Sequence, residues 1–310
     1  MNKIWTQGLM FLVPAAVGIL PVLFSPAASM PAGMEAAAPL HLPLALQWLT
    51  VVTAFAIKPL YMALSLLLAW FLRRRRDGDM SALKWAMIFF FSGELFCALN
   101  YLFFGERSWP AEYLHMAGMV VAFGLIILAV AEFFDERIVH FSAVDRNCAL
   151  LAACGKCYKS AAVACRLRLV FMAALPGLVL LCAIPLLVPL RSVVQATTVL
   201  NTSYTYAHPV IYQFFESRVA PFAAAFFFLA ALLLLRWRGE RSWTTAKLLF
   251  AAGAGFLSFA LFRLVLLSLF RDNLAWFVIW EEWTELLFVA MAWLFLLVFR
   301  KRPLLAAPQP

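Results

Sequence analysis

The chain has 310 residues, of which 65% are hydrophobic and only 13% are charged, and its mean hydropathy is +0.90. Soluble domains carry roughly 45–50% apolar and about 25% charged residues, so this composition excludes an ordinary water-soluble fold. The formal net charge of +9 would suit a nucleic-acid partner, but the placement of the basic residues indicates a lipid surface and no nucleic acid.

Apolar runs dominate the sequence from end to end. A hydrocarbon core of ~30 Å needs about 20 residues of α-helix, whereas barrel strands would be about ten residues long and alternate in polarity. The sequence therefore predicts an all-α integral membrane protein with about eight transmembrane helices. The runs cover residues 4–24, 44–72, 83–105, 113–134, 169–190, 219–236, 247–270 and 276–299. The first run also resembles a cleaved signal peptide loosely, but its length favours retention as a span.

The basic residues set the orientation of these spans. If the N-terminus lies inside, the inner segments carry 19 of the 25 Lys and Arg residues, and the outer segments carry four. This asymmetry follows the positive-inside rule. It predicts that both termini are cytoplasmic, in what would be a bacterial inner membrane.

The two halves of the chain look related. Pro59 corresponds to Pro221, and Lys84 corresponds to Lys247, with offsets that run only from 162 to 166 across the matched positions. Four spans followed by four would place two tandem halves in parallel orientation. The alternative is that apolar sequence of low complexity aligns with itself easily. The predicted units are an N-terminal membrane half, a cytoplasmic Cys-rich loop, a C-terminal membrane half and a tail, at residues 1–134, 135–168, 169–302 and 303–310.

Ionisable residues lie within the second and third predicted spans. Charged groups at helix centres cost several kcal/mol and usually face the interior of a bundle. Lys58, next to Pro59, and Glu94 match in depth to within ~5 Å. The sequence therefore predicts an ion pair between them.

A second charged group lies at the outer ends of the last two spans. Arg263 is ~10 Å below the outer end of its span, and Glu282 and Glu285 are ~9 Å and ~13 Å deep in the next. An Arg263–Glu282 pair is expected, with Glu281 at the wet interface. Three acids within five residues exceed what one arginine can neutralise, so at least one carboxyl is expected to bind a proton.

These carboxyls are candidates for proton handling. Glu94 and Glu285 are the two residues expected to exchange protons, in a proton relay, in ion coupling or in quinone chemistry. The alternative is that all of these charges form structural ion pairs. Glu112 and His115, at i and i+3 on one helical face, form a weak metal-binding pattern.

Four of the six cysteines crowd the predicted inner loop, at Cys148, Cys154, Cys157 and Cys165. A cytoplasmic location disfavours disulfides. The C-x2-C pair, with Gly155 permitting a turn, could bind one metal ion, and the outer two cysteines could complete a site for zinc or an iron–sulfur cluster. The alternative is an Ala- and Cys-rich helix at the membrane interface.

Three functions fit these features. The first is a membrane redox component, with the cysteines as a metal or redox site, a quinone-like carrier, and redox partners in the membrane or the cytoplasm. The second is an ion-coupled transporter of small solutes. The third is an assembly or sensory protein without turnover, so the sequence leaves open whether the protein is an enzyme.

Overall fold

The computed structural model describes residues 40–105, 108–139, 166–238, 242–270 and 273–299. The predicted first span, the four cysteines of the inner loop and the C-terminal tail lie outside these residues. The described residues form a bundle of long helices that is capped at one end by a small sheet.

Helices make up most of the described chain. In chain order they are α1 (Leu44–Phe71), α2 (Gly78–Phe104), α3 (Trp109–Val139), α4 (Arg166–Leu181), α5 (Ala183–Leu186), α6 (Val210–Arg238), α7 (Trp243–Leu269) and α8 (Leu274–Phe299). Six helical stretches in the described part are long and apolar enough to cross a membrane: α1, α2, α3, α6, α7 and Leu169–Leu186, which joins α4 and α5. The protein is thus a polytopic helical membrane protein, as its composition predicts.

Helix α6 begins earlier than hydropathy predicts. The predicted span starts at residue 219, whereas the helix starts at Val210 and includes Glu216 and Arg218. Both charged residues lower the local hydropathy, but Glu216 is buried and bonded to Arg263. A paired charge inside the bundle therefore made helical sequence look like an outer loop.

A three-stranded sheet covers one end of the bundle. β2 (Val193–Val199) and β3 (Thr202–His208) form an antiparallel hairpin, and β1 (Leu40–His41) pairs parallel to β2. Leu200 and Asn201 form a two-residue turn with φ values of 46° and 64°, as a tight hairpin turn requires. Because the described helices alternate in direction, the α2–α3 and α7–α8 connections lie at this same end, called the sheet end below.

The helices repeat in length along the chain. α2 and α7 each have 27 residues, and the second begins 165 residues after the first. The α-helical part of α3 (Trp109–Phe134) and α8 each have 26 residues, again 165 residues apart. A π-helical turn precedes a proline in both α1 (Thr53–Ile57, then Pro59) and α6 (Phe215–Val219, then Pro221).

Two pairs of glycines bring three helices into close contact. A Cβ atom added at Gly118 of α3 would lie 2.7 Å from Gly93 Cα of α2, and one added at Gly255 of α7 would lie 2.8 Å from the backbone nitrogen of Gly124 in α3. Only hydrogen fits at such distances, so α2, α3 and α7 form the tightly packed centre of the bundle.

Helix α8 packs differently from its counterpart α3. It diverges from α7 and lies mainly against α1. The residue of α8 that corresponds to Gly118 is Trp283, whose indole cannot fit a glycine contact. Its Nε1 instead donates to Thr53 Oγ1 of α1, at 3.3 Å.

Candidate functional site

Five buried or nearly buried side chains meet inside the bundle and form what we call the lysine cluster: Lys58, Tyr61, Glu94, Glu282 and Glu285. Lys58 and Tyr61 follow the π-helical turn of α1, Glu94 lies in the second half of α2, and the other two acids lie in the first half of α8. Tyr61 and Glu94 have no exposed surface, and Glu285 is 2% exposed.

The ammonium group of Lys58 has three hydrogen-bond partners. Its Nζ donates to Glu94 Oε2 at 2.6 Å, to Glu282 Oε1 at 2.9 Å and to the Tyr61 hydroxyl at 3.1 Å. An ammonium group has three hydrogens, so all of them are used within the cluster.

The Tyr61 hydroxyl contacts all three carboxyl groups. Its oxygen lies 2.7 Å from Glu94 Oε2, 2.5 Å from Glu282 Oε2 and 2.6 Å from Glu285 Oε2. These are hydrogen-bond distances, but a phenol has only one hydrogen to donate. The close approach of the remaining oxygens therefore requires at least one protonated carboxyl.

The charge count of the lysine cluster leads to the same conclusion. Three ionised carboxylates around one ammonium would leave two uncompensated negative charges in a buried site, which is strongly unfavourable in a low-dielectric interior. The ligand oxygens of Glu94, Glu282 and Glu285 lie within 4.8 Å of one another, close enough for a metal ion. Lys58 Nζ already contacts two of these carboxylates, so an ammonium and protons fill the role that a metal ion would have.

A second buried group, called the arginine cluster, consists of Tyr206, His208, Glu216, Arg263 and Glu281. Arg263 donates from Nε to Glu216 Oε1 at 2.6 Å and from Nη1 to Glu281 Oε1. His208 Nε2 lies 2.9 Å from Glu216 Oε2, and its Nδ1 lies 3.2 Å from the Tyr206 hydroxyl. These contacts join the hairpin to α6, α7 and α8.

The structure brings the predicted site residues together in a different arrangement from the one expected. Lys58 and Glu94 meet, but Arg263 pairs with Glu216 and Glu281, and Glu282 belongs to the lysine cluster. Glu281 is not at a wet interface but bonds the buried Arg263. Consecutive residues on a helix point about 100° apart, so α8 turns Glu281 toward α7 and Glu282 toward α1.

Sequence reasoning missed Tyr61 and Glu216. Tyr61 lies three residues after Lys58 and therefore shares its helical face, a signal that an aromatic residue in an apolar span does not make obvious. Glu112 and His115 do not converge on a metal site. Glu112 Oε2 accepts from Asn100 Nδ2 at 3.3 Å, whereas His115 Nδ1 lies 3.2 Å from the Gly93 carbonyl oxygen.

A third charged group lies at the opposite end of the bundle from the sheet. Lys247 Nζ bonds Glu132 Oε2 at 3.0 Å and Asp135 Oδ2, which joins α7 to α3. These contacts anchor helix ends. Comparison of the chain with protein-family models, with curated proteins and with solved structures found no match. Function is therefore inferred from the chemistry of the lysine and arginine clusters.

Proposed function

We propose that the protein is an ion-coupled membrane transporter in which the lysine cluster binds and releases protons. Glu94 and Glu285 are the proton-carrying groups. The observation that supports this most is the contact of one phenol hydroxyl with three buried carboxyl groups that share a single ammonium. Ionisable groups at this depth in a membrane protein usually mark ion pathways or proton relays.

Helix α1 is the element that would respond to protonation. Its π-helical turn at Thr53–Ile57 and the adjacent Pro59 interrupt regular helical hydrogen bonding directly before Lys58 and Tyr61, and such sites bend helices. The glycine contacts hold α2, α3 and α7 together. Adding or removing a proton changes the attraction of α1 and α8 for Glu94, so α1 would move against a rigid centre.

We also propose the finer topology that the sequence suggests. The chain would have eight spans in two tandem halves, at 1–134 and 169–302, with both termini in the cytoplasm of a bacterium. The helix lengths that recur after 165 residues support a duplication, as do the π-helical turns before Pro59 and Pro221. The different packing of α3 and α8 implies that the halves have diverged.

A redox component is the second candidate, and the spacing of Cys148, Cys154, Cys157 and Cys165 favours it. In this case the cysteines would bind zinc or an iron–sulfur cluster, and Glu94 or Glu285 would exchange protons with a quinone-like carrier. Metal analysis and a visible spectrum of the purified protein distinguish the candidates. Bound iron with broad visible absorption would favour redox chemistry, and metal-free protein would favour transport.

The proton-binding step is tested by infrared difference spectroscopy on protein reconstituted in bilayers, between about pH 5 and about pH 9. We expect the wild type to show the carbonyl band of a protonated carboxyl, which declines as the pH rises. Glu285→Gln should remove most of this band. Glu132→Gln is the matched control, because Glu132 also bonds a buried lysine but lies at the other end of the bundle.

Transport is tested in proteoliposomes that contain a pH dye. Pools of small solutes are added outside, and we expect a pool that drives proton uptake by the wild type and not by Glu285→Gln. Identical carboxyl bands in the wild type and in Glu285→Gln would contradict the proposal at its first step, because the cluster would then hold no exchangeable proton.

A further inference from the structure

A proton-binding cluster inside a bundle needs a route to water, and the geometry points to His115. We propose that His115 transfers protons between the sheet end of the bundle and Glu94. This inference rests on the proposed proton binding by the lysine cluster, and it adds the residue and the side of the membrane through which the proton would pass.

The two oxygens of Glu94 have different surroundings. Oε2 accepts from both Lys58 and Tyr61, whereas Oε1 is buried and has no hydrogen-bond partner among the described residues. His115 Nδ1 lies 3.4 Å from this oxygen. A proton that reaches Glu94 can therefore bind at Oε1, and the His115 ring is in place to deliver it.

The position of His115 suits this role. It lies six residues after the start of α3, about 9 Å into the bundle from the sheet end, and it is 6% exposed. The contact between Gly93 and Gly118 brings α2 and α3 so close that the ring of His115 reaches the backbone beside Glu94. Glu112, half-buried and one turn nearer to the sheet end, shares this helical face.

The charged and titratable groups around this ring come from three helices. Glu94 faces it from α2, with Lys58 and Tyr61 of α1 bonded to the far oxygen of the same carboxylate. Glu112 lies on the same face of α3. An imidazole between a buried carboxylate and a more exposed one can accept a proton near neutral pH.

The transfer balances as one proton moving inward. A proton from water binds the free ring nitrogen of neutral His115 and gives an imidazolium ion. The Nδ1–H bond then breaks, an O–H bond forms at Glu94 Oε1, and the ring is neutral again with the new proton on Nε2. Rotation of the ring, or proton exchange with water, restores the starting tautomer.

The other buried histidine in the described chain supplies a matched control. His208 is engaged at both ring nitrogens, by Glu216 and by Tyr206, and it belongs to the arginine cluster. The substitution His208→Gln thus removes a buried imidazole at the same end of the bundle without touching Glu94. His115→Gln can still donate a hydrogen bond but cannot carry a proton.

The test measures how fast the protonated-carboxyl band of the reconstituted protein responds to a pH jump or to replacement of H₂O by D₂O. We expect His115→Gln to slow this response by at least about tenfold, in keeping with the contribution of a positioned acid–base group. His208→Gln should leave the rate unchanged. Added imidazole should restore part of the rate to His115→Ala, which also keeps the test valid if the Gln variant folds poorly.

Two results overturn the inference, and they can be told apart. If the wild type has the Glu285-dependent band but His115→Gln and His115→Ala exchange at the wild-type rate, the route through His115 is wrong and proton binding stands. If the wild type has no such band, the proposed function fails, and the route fails with it.

Discussion

The lysine and arginine clusters join equivalent helices with opposite charge. In the lysine cluster the cation is on α1 and its acid is on α2, whereas in the arginine cluster the acid is on α6 and the cation is on α7. The 165-residue repeat matches α1 with α6 and α2 with α7. The same helix pair can therefore be held by a buried charge pair of either polarity.

The clusters differ in how well their charges balance. Arg263 is always charged and uses separate nitrogens for Glu216 and Glu281, which fixes the geometry. Lys58 has three carboxyl groups to neutralise, and the surplus is met by protons. A balanced cluster holds helices in place, whereas an unbalanced one exchanges protons, and this difference can be tested by changing one cluster at a time.

Removal of the cation should separate the clusters most clearly. Arg263→Gln leaves Glu216 and Glu281 without their partner, and we expect a loss of about 3–5 kcal/mol in the free energy of unfolding. Lys58→Gln should cost less, because the carboxyls it leaves can take up protons. Thermal unfolding in detergent at neutral pH measures both. Equal losses would contradict the distinction between the clusters.

Closing the gap between α2 and α3 should disturb the lysine cluster alone. Gly118→Ala places a methyl group 2.7 Å from Gly93 Cα, and overpacking of this kind costs about 1–3 kcal/mol. The shift of α2 would move Glu94 and change the carboxyl band. Gly177→Ala in α4 is the control, because an added Cβ there has no neighbour within 4 Å; a loss of stability as large as that of Gly118→Ala would contradict the close contact.

The bond that holds α8 against α1 should have a smaller effect. Trp283→Phe removes the donor to Thr53 Oγ1 while it keeps an aromatic ring, and a typical hydrogen bond contributes about 0.5–1.5 kcal/mol. Because α8 carries Glu282 and Glu285, we expect the pH response of the carboxyl band to change as well. An unchanged infrared titration would show that this bond does not position the two acids.

Neutralising one surplus acid should have the smallest effect on stability. Glu285→Gln keeps the shape of the side chain and removes a charge that has no cation of its own, so the free energy of unfolding should change by less than about 1 kcal/mol. Glu216→Gln should be more damaging, since Glu216 bonds both Arg263 and His208. Chemical unfolding of the two variants under identical conditions compares them, and the reverse order would refute the charge count.

The sequence predicts depth better than direction. Helical rise places Lys58 level with Glu94, and the structure has them 2.6 Å apart. The same calculation matched Arg263 to Glu282, but a difference of one residue rotates a side chain by about 100°. Which carboxylate faces which helix depends on how α8 packs, and that is decided by bulky residues such as Trp283.

Local polarity also hid structure at the sheet end. The segment 191–218 contains Thr, Tyr and charged residues, so it reads as a connection between spans. The structure forms a hairpin from its first part and the start of α6 from the rest. The pairing of β1 with β2 could not be predicted either, because it depends on residues about 155 positions apart meeting in space.

The sheet fastens the start of α1 to the hairpin that leads into α6. Leu40 and His41 pair with Thr197 and Thr198, and Gln47 Oε1 accepts a hydrogen bond from the backbone of Leu200 at the hairpin turn. The upper end of α1 is thus tethered to the opposite half of the chain. Any swing of Lys58 must pivot below that tether, at the π-helical turn, so stiffening this turn would lock the helix as a lever without altering a single charge.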